Sequence, residues 1–254
     1  MKVYFLGTGT SQGIPVIGST HPVCLSQDSK DKRLRVSALI RWEDYCYVID
    51  CGPDFRQQMI SSNCHKLDGI LFTHEHADHT AGLDDIRPFN YRQGDLPIFA
   101  QDRVIQSLKD RFGYIFETEN RYPGAPSVVV TEIENDKPFS IGDKMAIPIR
   151  VWHGNLEVFG FRIDDFAYLT DVKTIDKEEV EKLKGLKVLV VNALREEPHP
   201  THFNLQEALD FVQLIKPEKT YFTHISHNLG FHADVESKLP ENVFLAYDNL
   251  EITI

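Results

Sequence analysis

The stretch His74-Glu75-His76-Ala77-Asp78-His79 puts three histidines and an aspartate within six residues, directly after a short apolar run at residues 69–73. That run reads as a buried strand, so the motif lies where an extended chain leaves a sheet. Side chains two apart on an extended segment point the same way, which lets His74 and His76 converge on one cation. Asp78 and His79, where the chain turns toward a helix, then face a second cation about 3.5 to 4 Å away, the spacing of two-metal hydrolytic sites. A solvated polar loop needs no such density of nitrogen and oxygen ligands.

Outward from this motif, the chain has the composition of a globular protein: 254 residues, 42% hydrophobic and 26% charged. A single domain over residues 1–254 is expected, because layered α/β architectures run to roughly 250 residues around one core. Lys and Arg number 27 against 38 Asp and Glu, a net charge of −11, which repels polyanions and makes nucleic acid a poor partner. No segment approaches the ~18 apolar residues of a membrane span, and four cysteines without a C-x-x-C pair make no disulfide framework. A reducing, cytoplasmic setting is expected. The eleven histidines are the outlying count, imidazole being the commonest protein metal ligand.

Residues 2–6 read as the first strand, broken by the turn-rich residues 7–22, which lack the spacing and following helix of a dinucleotide fingerprint. Residues 35–42 and 45–50 form a hairpin of β-branched and aromatic residues. Strands are expected at 127–133, 145–152, 157–163, 166–169, 187–191 and 220–223. Helices are expected at 102–112, 176–183 and 204–214, the last capped by Asn204. Strands lead each half and helices follow without repeated crossover units, which suggests two packed sheets with helices outside.

The hallmark H-x-H-x-D-H at residues 74–79 resembles that of the metallo-β-lactamase superfamily, and the resemblance extends over nearly the whole chain. It implies a four-layer αββα sandwich. Ile49-Asp50-Cys51-Gly52 is similar to the family's early strand motif, whose aspartate supports the metal loop. Trp152-His153-Gly154, Leu169-Thr170-Asp171 and Thr223-His224-Ile225-Ser226-His227 match the later motifs. The resemblance thus implies one ion held by His74, His76 and His153, a second by Asp78, His79 and His224, and Asp171 bridging them. True β-lactamases generally place a thiolate where this chain has Asp171. An all nitrogen and oxygen set accepts zinc, manganese or iron, so two divalent ions are expected without a fixed identity. A metal-bridged hydroxide is the expected nucleophile.

Gly7-Thr8-Gly9-Thr10-Ser11-Gln12-Gly13-Ile14-Pro15 and Gly82-Leu83-Asp84-Asp85-Ile86-Arg87-Pro88 resemble the PhnP-like phosphodiesterase branch of that superfamily. An Asp-Arg pair within this segment reads as structural, since ion pairs are common at helix ends. His202, in Thr201-His202-Phe203-Asn204, matches the histidine that acts at the phosphate in that branch and in tRNA 3′-processing nucleases; it is expected to be the general acid or an electrostatic donor to the phosphate, with Asp78 a candidate proton acceptor. His199, flanked by Pro198 and Pro200, reads as an exposed loop residue. The branch also carries a structural zinc loop, whose matching positions here are Ser19, His21, Cys24 and His227. Either His21, Cys24 and His227 hold a zinc with a fourth ligand from elsewhere, or the site is empty, with Cys24 a buried small hydrophobe.

The expected activity is hydrolysis of a small, cyclic or nucleotide-like phosphodiester. A tRNA 3′-endonuclease is the competing reading, but only 17 residues separate His153 from Asp171, too few for a tRNA-binding arm, and the chain lacks the basic balance of a tRNA binder. A metal-binding sensor without turnover is the third reading, against which His202 stands as a residue beyond the seven ligands. Specificity is expected to reside in loops at residues 89–96 and 114–126. The sequence is silent on assembly, for which a homodimer is the commonest arrangement.

Overall fold

The computed structural model describes residues 1–119 and 121–254. Two mixed sheets face each other. The first contains β1 (Lys2–Gly7), β2 (Ser37–Trp42), β3 (Tyr45–Ile49), β4 (Gly69–Leu71), β5 (Leu96–Ala100) and β6 (Val128–Glu132). The second contains β7 (Phe139–Ile141), β8 (Lys144–His153), β9 (Leu156–Ile163), β10 (Phe166–Tyr168), β11 (Thr174–Ile175), β12 (Val188–Asn192), β13 (Lys219–Thr223) and β14 (Val243–Leu245). The last strand, β15 (Glu251–Thr253), returns to the first sheet, giving the order β15-β1-β2-β3-β4-β5-β6 against β11-β8-β9-β10-β12-β13-β14, with β7 beside β8.

The buried apolar residues fall into three main clusters, one for each interface of four layers. Val3, Phe5 and Ile40 of the first sheet meet Phe161, Phe166 and Val190 of the second. Phe55, Leu67, Val104 and Leu108 cover the outside of the first sheet, and Leu183, Ala208, Phe211 and Ile215 the outside of the second. Central strands buried on both faces lose the period-two alternation: β12 is buried at every position. The helix Leu205–Ile215 begins in a full capping box, Asn204 accepting from Glu207 N and Glu207 accepting from Asn204 N. The αββα sandwich expected from the motifs is therefore the observed architecture.

The expectation that crossover units are lacking is wrong. β3, β4, β5 and β6 run parallel, joined by helices at Phe55–Ser61, Arg87–Gln93 and Asp102–Phe116, and β10, β12, β13 and β14 repeat the arrangement. The helix Phe55–Ser61 has Asp54 at its N-cap position and Arg87–Gln93 has Pro88 in its first turn, but neither is closed by a side-chain cap bond and each is only seven residues long. Residues 89–96 are accordingly helix and strand rather than a loop. The helix expected to stop at Phe112 kinks there, at φ −129°, and runs on to Phe116.

Parallel strands collect their C-terminal ends on one edge of the sandwich, the place where α/β sheets bind ligands. The chain leaves β4 into His74, β12 into residues 193–204 and β13 into His224. Asp50, Asp171 and His224, each just beyond a strand, adopt left-handed φ of 63°, 58° and 55°. Such a conformation costs on the order of 1–3 kcal/mol outside glycine, is least adverse for Asp and His, and persists where it aims a functional group.

Candidate metal centre

Seven residues from both sheets meet in this edge cleft. Asp50, fully buried, organises the first sheet's share: Oδ1 accepts from the Thr73 amide at 2.8 Å, while Oδ2 accepts from Thr73 Oγ1 at 2.8 Å and from His79 Nδ1 at 2.6 Å. With its Nδ1 proton given to Asp50, His79 presents an Nε2 lone pair, which lies 3.2 Å from Asp171 Oδ2 and 3.3 Å from Asp78 Oδ2. Thr73 Oγ1, having donated to Asp50, accepts from His74 Nδ1 at 3.0 Å and so frees His74 Nε2. From the second sheet, His153 Nδ1 donates to the Thr201 carbonyl at 2.7 Å, with the same consequence for its Nε2.

His74 Nε2, His79 Nε2 and both nitrogens of His224 are buried with no hydrogen-bond partner. Unpaired buried polar atoms are costly, so several of them converging with carboxylates constitute a donor set that a cation completes. His74, His79 and Asp171 offer ligand atoms within 4.8 Å of one another, as do Asp78, His79 and His224, and likewise His153, Asp171 and His202. His76 stands alongside, its ring 4.5 Å from that of His74 and 5.3 Å from that of His153. Six of the seven expected ligands thus fall in these clusters, His76 lies beside them in none, and Asp171 belongs to two of the three.

The electrostatics agree with this fit. Burial works against ionisation of Asp171 and Asp78, yet the surrounding imidazoles, His224 and His79 above all, hold both well below the usual carboxylate range. Burial likewise opposes charge on His79, but Asp78, Asp50 and Asp171 keep its pKa well above the ordinary imidazole value. A centre that draws positive charge onto a buried imidazole offers the same field to divalent cations.

His202, buried to 8% exposure, sits over the cluster, its Nδ1 3.5 Å from Asp171 Oδ1 and its ring 4.4 Å from that of His153. His199 departs from the exposed loop position expected of it: it is half-buried, with its ring 5.0 Å from that of His202. Proline on both sides had pointed to a solvent loop, whereas Thr201 folds the segment back onto the cleft. Arg87 and Asp84 pair through Nη2 at 2.6 Å, and Tyr122, Tyr114 and the Gly124 carbonyl complete a network that ties residues 121–127 to the helix Arg87–Gln93.

The residues matched to a structural zinc loop do not converge in the same way. His21 and His227 face each other with ring centroids 4.9 Å apart, but His21 Nδ1 is taken by the Val23 amide, and Cys24 packs against Ile14 and Val23. Among the described residues, His21, Cys24 and His227 form no cluster of ligand atoms. Of the two alternatives, this geometry is that of Cys24 as a small core residue.

A two-sheet sandwich with a histidine and aspartate cluster at the strand ends defines a metal-dependent hydrolase fold. The chain belongs to the β-lactamase superfamily, whose domain model matches residues 45–225. A solved structure described as a new diphosphatase from the PhnP family superposes with TM-score 0.93 at 36% identity, covering 100% of this chain and 97% of the other. A Porphyromonas gingivalis octanoyltransferase is 39% identical over 100% of this chain but 52% of its own length, so the chain spans about half of that relative. Ribonuclease Z of Methanococcus maripaludis is 24% identical over 74% of the chain and 54% of its own length. Among the described residues, no helix is long and apolar enough to cross a membrane.

Proposed function

We propose that the protein is a phosphodiesterase that uses two divalent cations, zinc or manganese, to hydrolyse a small phosphodiester to a phosphomonoester and an alcohol. The observation that carries the reading is His202: an imidazole packed on Asp171 and His153, additional to the seven residues assigned to the cations. His74, His76 and His153 would hold one cation, Asp78, His79 and His224 would hold the other, and Asp171 would be shared between them. Cations so placed supply Lewis acidity for a phosphate oxygen and activate water for in-line attack. His202 donates to the phosphate or to the departing oxygen, and Asp78 accepts the proton of the attacking water. Asp50 keeps His79 in the liganding tautomer through the reaction.

The nuclease reading gains from the Ribonuclease Z relatives, but the interval between His153 and Asp171 is filled by β9, β10 and their turn, leaving no arm to grip tRNA. The octanoyltransferase name belongs to a protein about twice as long, and the cleft described here holds imidazoles and carboxylates. A panel of 2′,3′-cyclic nucleotides, phosphoribosyl cyclic phosphate, linear phosphodiesters and pre-tRNA tests the reading: turnover confined to small diesters is expected, and cleavage of pre-tRNA alone would overturn it. His202→Ala should slow an alkyl or sugar diester about 10²-fold or more and bis(p-nitrophenyl) phosphate far less, because p-nitrophenolate leaves without a proton. Equal losses on both would remove the general-acid role.

A further inference from the structure

We propose that His199 is a phosphate-binding residue, donating its Nε2 proton to a phosphate oxygen of the substrate beside His202. The inference deepens the phosphodiesterase reading and rests on it for the substrate class. The loop that carries His199 is braced from within: Arg195 donates through Nε to the Glu197 carbonyl at 3.2 Å and through Nη2 to the Pro198 carbonyl at 2.8 Å. The Thr201 amide then points at His199 Nδ1 from 3.3 Å. An amide N–H only donates, so Nδ1 is the acceptor and the ring proton resides on Nε2. Both hydrogen bonds of the His199 ring among the described residues are made at Nδ1, so Nε2 has no protein partner there.

The carbonyl of the same Thr201 accepts from His153 Nδ1 at 2.7 Å, fixing the opposite tautomer there. One residue therefore prepares two imidazoles for two tasks. His153 offers an Nε2 lone pair, which suits a cation; His199 offers an Nε2–H, which suits an anion and is unfit to ligate a metal. With its ring centroid 5.0 Å from that of His202 and itself half-buried, His199 stands beside the cluster, near enough for its free ring nitrogen to serve a phosphate seated there. A donor that needs no rearrangement is what a site for a charged oxygen uses best.

The test compares metal-loaded wild type, His199→Ala and His199→Gln, the last restoring an N–H donor of similar reach. With bis(p-nitrophenyl) phosphate, His199→Ala should raise KM about tenfold or more with a smaller fall in kcat, the effect of one hydrogen bond to a charged oxygen. Independently of turnover, calorimetry with inorganic phosphate should show a matching rise in Kd, with His199→Gln within about threefold of wild type and metal content unchanged in all three. Unchanged KM and phosphate Kd in His199→Ala would overturn the proposal, as would a loss confined to kcat, which would make His199 a prop for His202. A wild type that binds no inorganic phosphate overturns it too. A wild type that binds phosphate through His199 but turns over no diester would instead sink the phosphodiesterase reading and leave the anion site standing.

Discussion

Two corners of the molecule carry histidines near strand ends, and only one of them is built as a centre. In the edge cleft, ligands sit at or just beyond the ends of strands paired within the two sheets, three anchor residues take left-handed φ, and Asp50, Thr73 and Thr201 orient the rings. At the N-terminal corner, His21 caps the four-residue helix Pro22–Leu25 with the nitrogen a metal would need, and Cys24 turns into the core. That corner is held by other means. Ile14 and Arg33 exchange backbone bonds at 2.8 Å, Thr10 N reaches the Ile225 carbonyl, and the buried Arg33 guanidinium donates to Thr8 Oγ1, the Ala246 carbonyl and His232. Ligand residue types make a site only where backbone and supporting side chains aim them, and a loop already stapled needs no metal.

The contrast breaks most sharply at Asp171. Asp171→Ala removes the carboxylate shared by two ligand clusters, so turnover of bis(p-nitrophenyl) phosphate should fall by roughly 10³-fold or more, the scale of losing a main electrostatic element of an active site. A variant that kept wild-type kcat/KM would contradict the bridging role. One step outward, Asp50→Asn keeps the shape of the side chain but replaces an acceptor of the His79 Nδ1 proton, and metal affinity measured by competition with a chelator should weaken about 10- to 100-fold. Affinity unchanged from wild type would mean that the supporting carboxylate does not matter.

Much of the cleft was legible in advance because its ligands come as short motifs at strand ends, where spacing and chemistry coincide. The H-x-H-x-D-H run stands out by its own density of ligands, whereas His153, Asp171 and His224 are singled out only by resemblance to the superfamily's motifs. His199 was hidden because proline neighbours signal a surface loop, while the bond from the Thr201 amide that folds it inward leaves no mark on composition. The crossover helices were hidden for a similar reason: Phe55–Ser61 and Arg87–Gln93 are short, uncapped and held by contacts with the first sheet's outer face rather than by local signals. At the corner the residue types leave a zinc site and an empty one equally open, since they cannot report that His21 Nδ1 accepts from the Val23 amide.

The corner's stability should depend on pH through Asp248. Its carboxyl accepts from Thr8 Oγ1 at 2.7 Å and the Leu34 amide at 2.6 Å, but burial outweighs these bonds and lifts its pKa to about 6 from 3.8. A group whose folded pKa is raised contributes stability in the protonated form, present in full below the unfolded value and lost as pH rises through the folded one. Wild type should therefore lose on the order of 1–2 kcal/mol between pH 4 and pH 6 relative to Asp248→Asn, as read by urea unfolding of both. Parallel pH profiles for the two proteins would contradict the assignment.

Smallest of all should be Cys24→Ala. With the thiol packed against Ile14 and Val23, the variant should keep wild-type zinc content and lose about 1 kcal/mol, a few degrees of Tm. Loss of one zinc per chain would restore the structural site that the geometry of His21 and Cys24 speaks against.

The central claim is the dinuclear cleft, and it is met most directly by counting metal in the wild-type protein after gentle purification and saturation with zinc or manganese. The cluster of His74, His76, Asp78, His79, His153, Asp171 and His224 predicts about two ions per chain, both lost together on chelation with the activity. One ion per chain, or two that survive substitution of Asp171 without change, would contradict it.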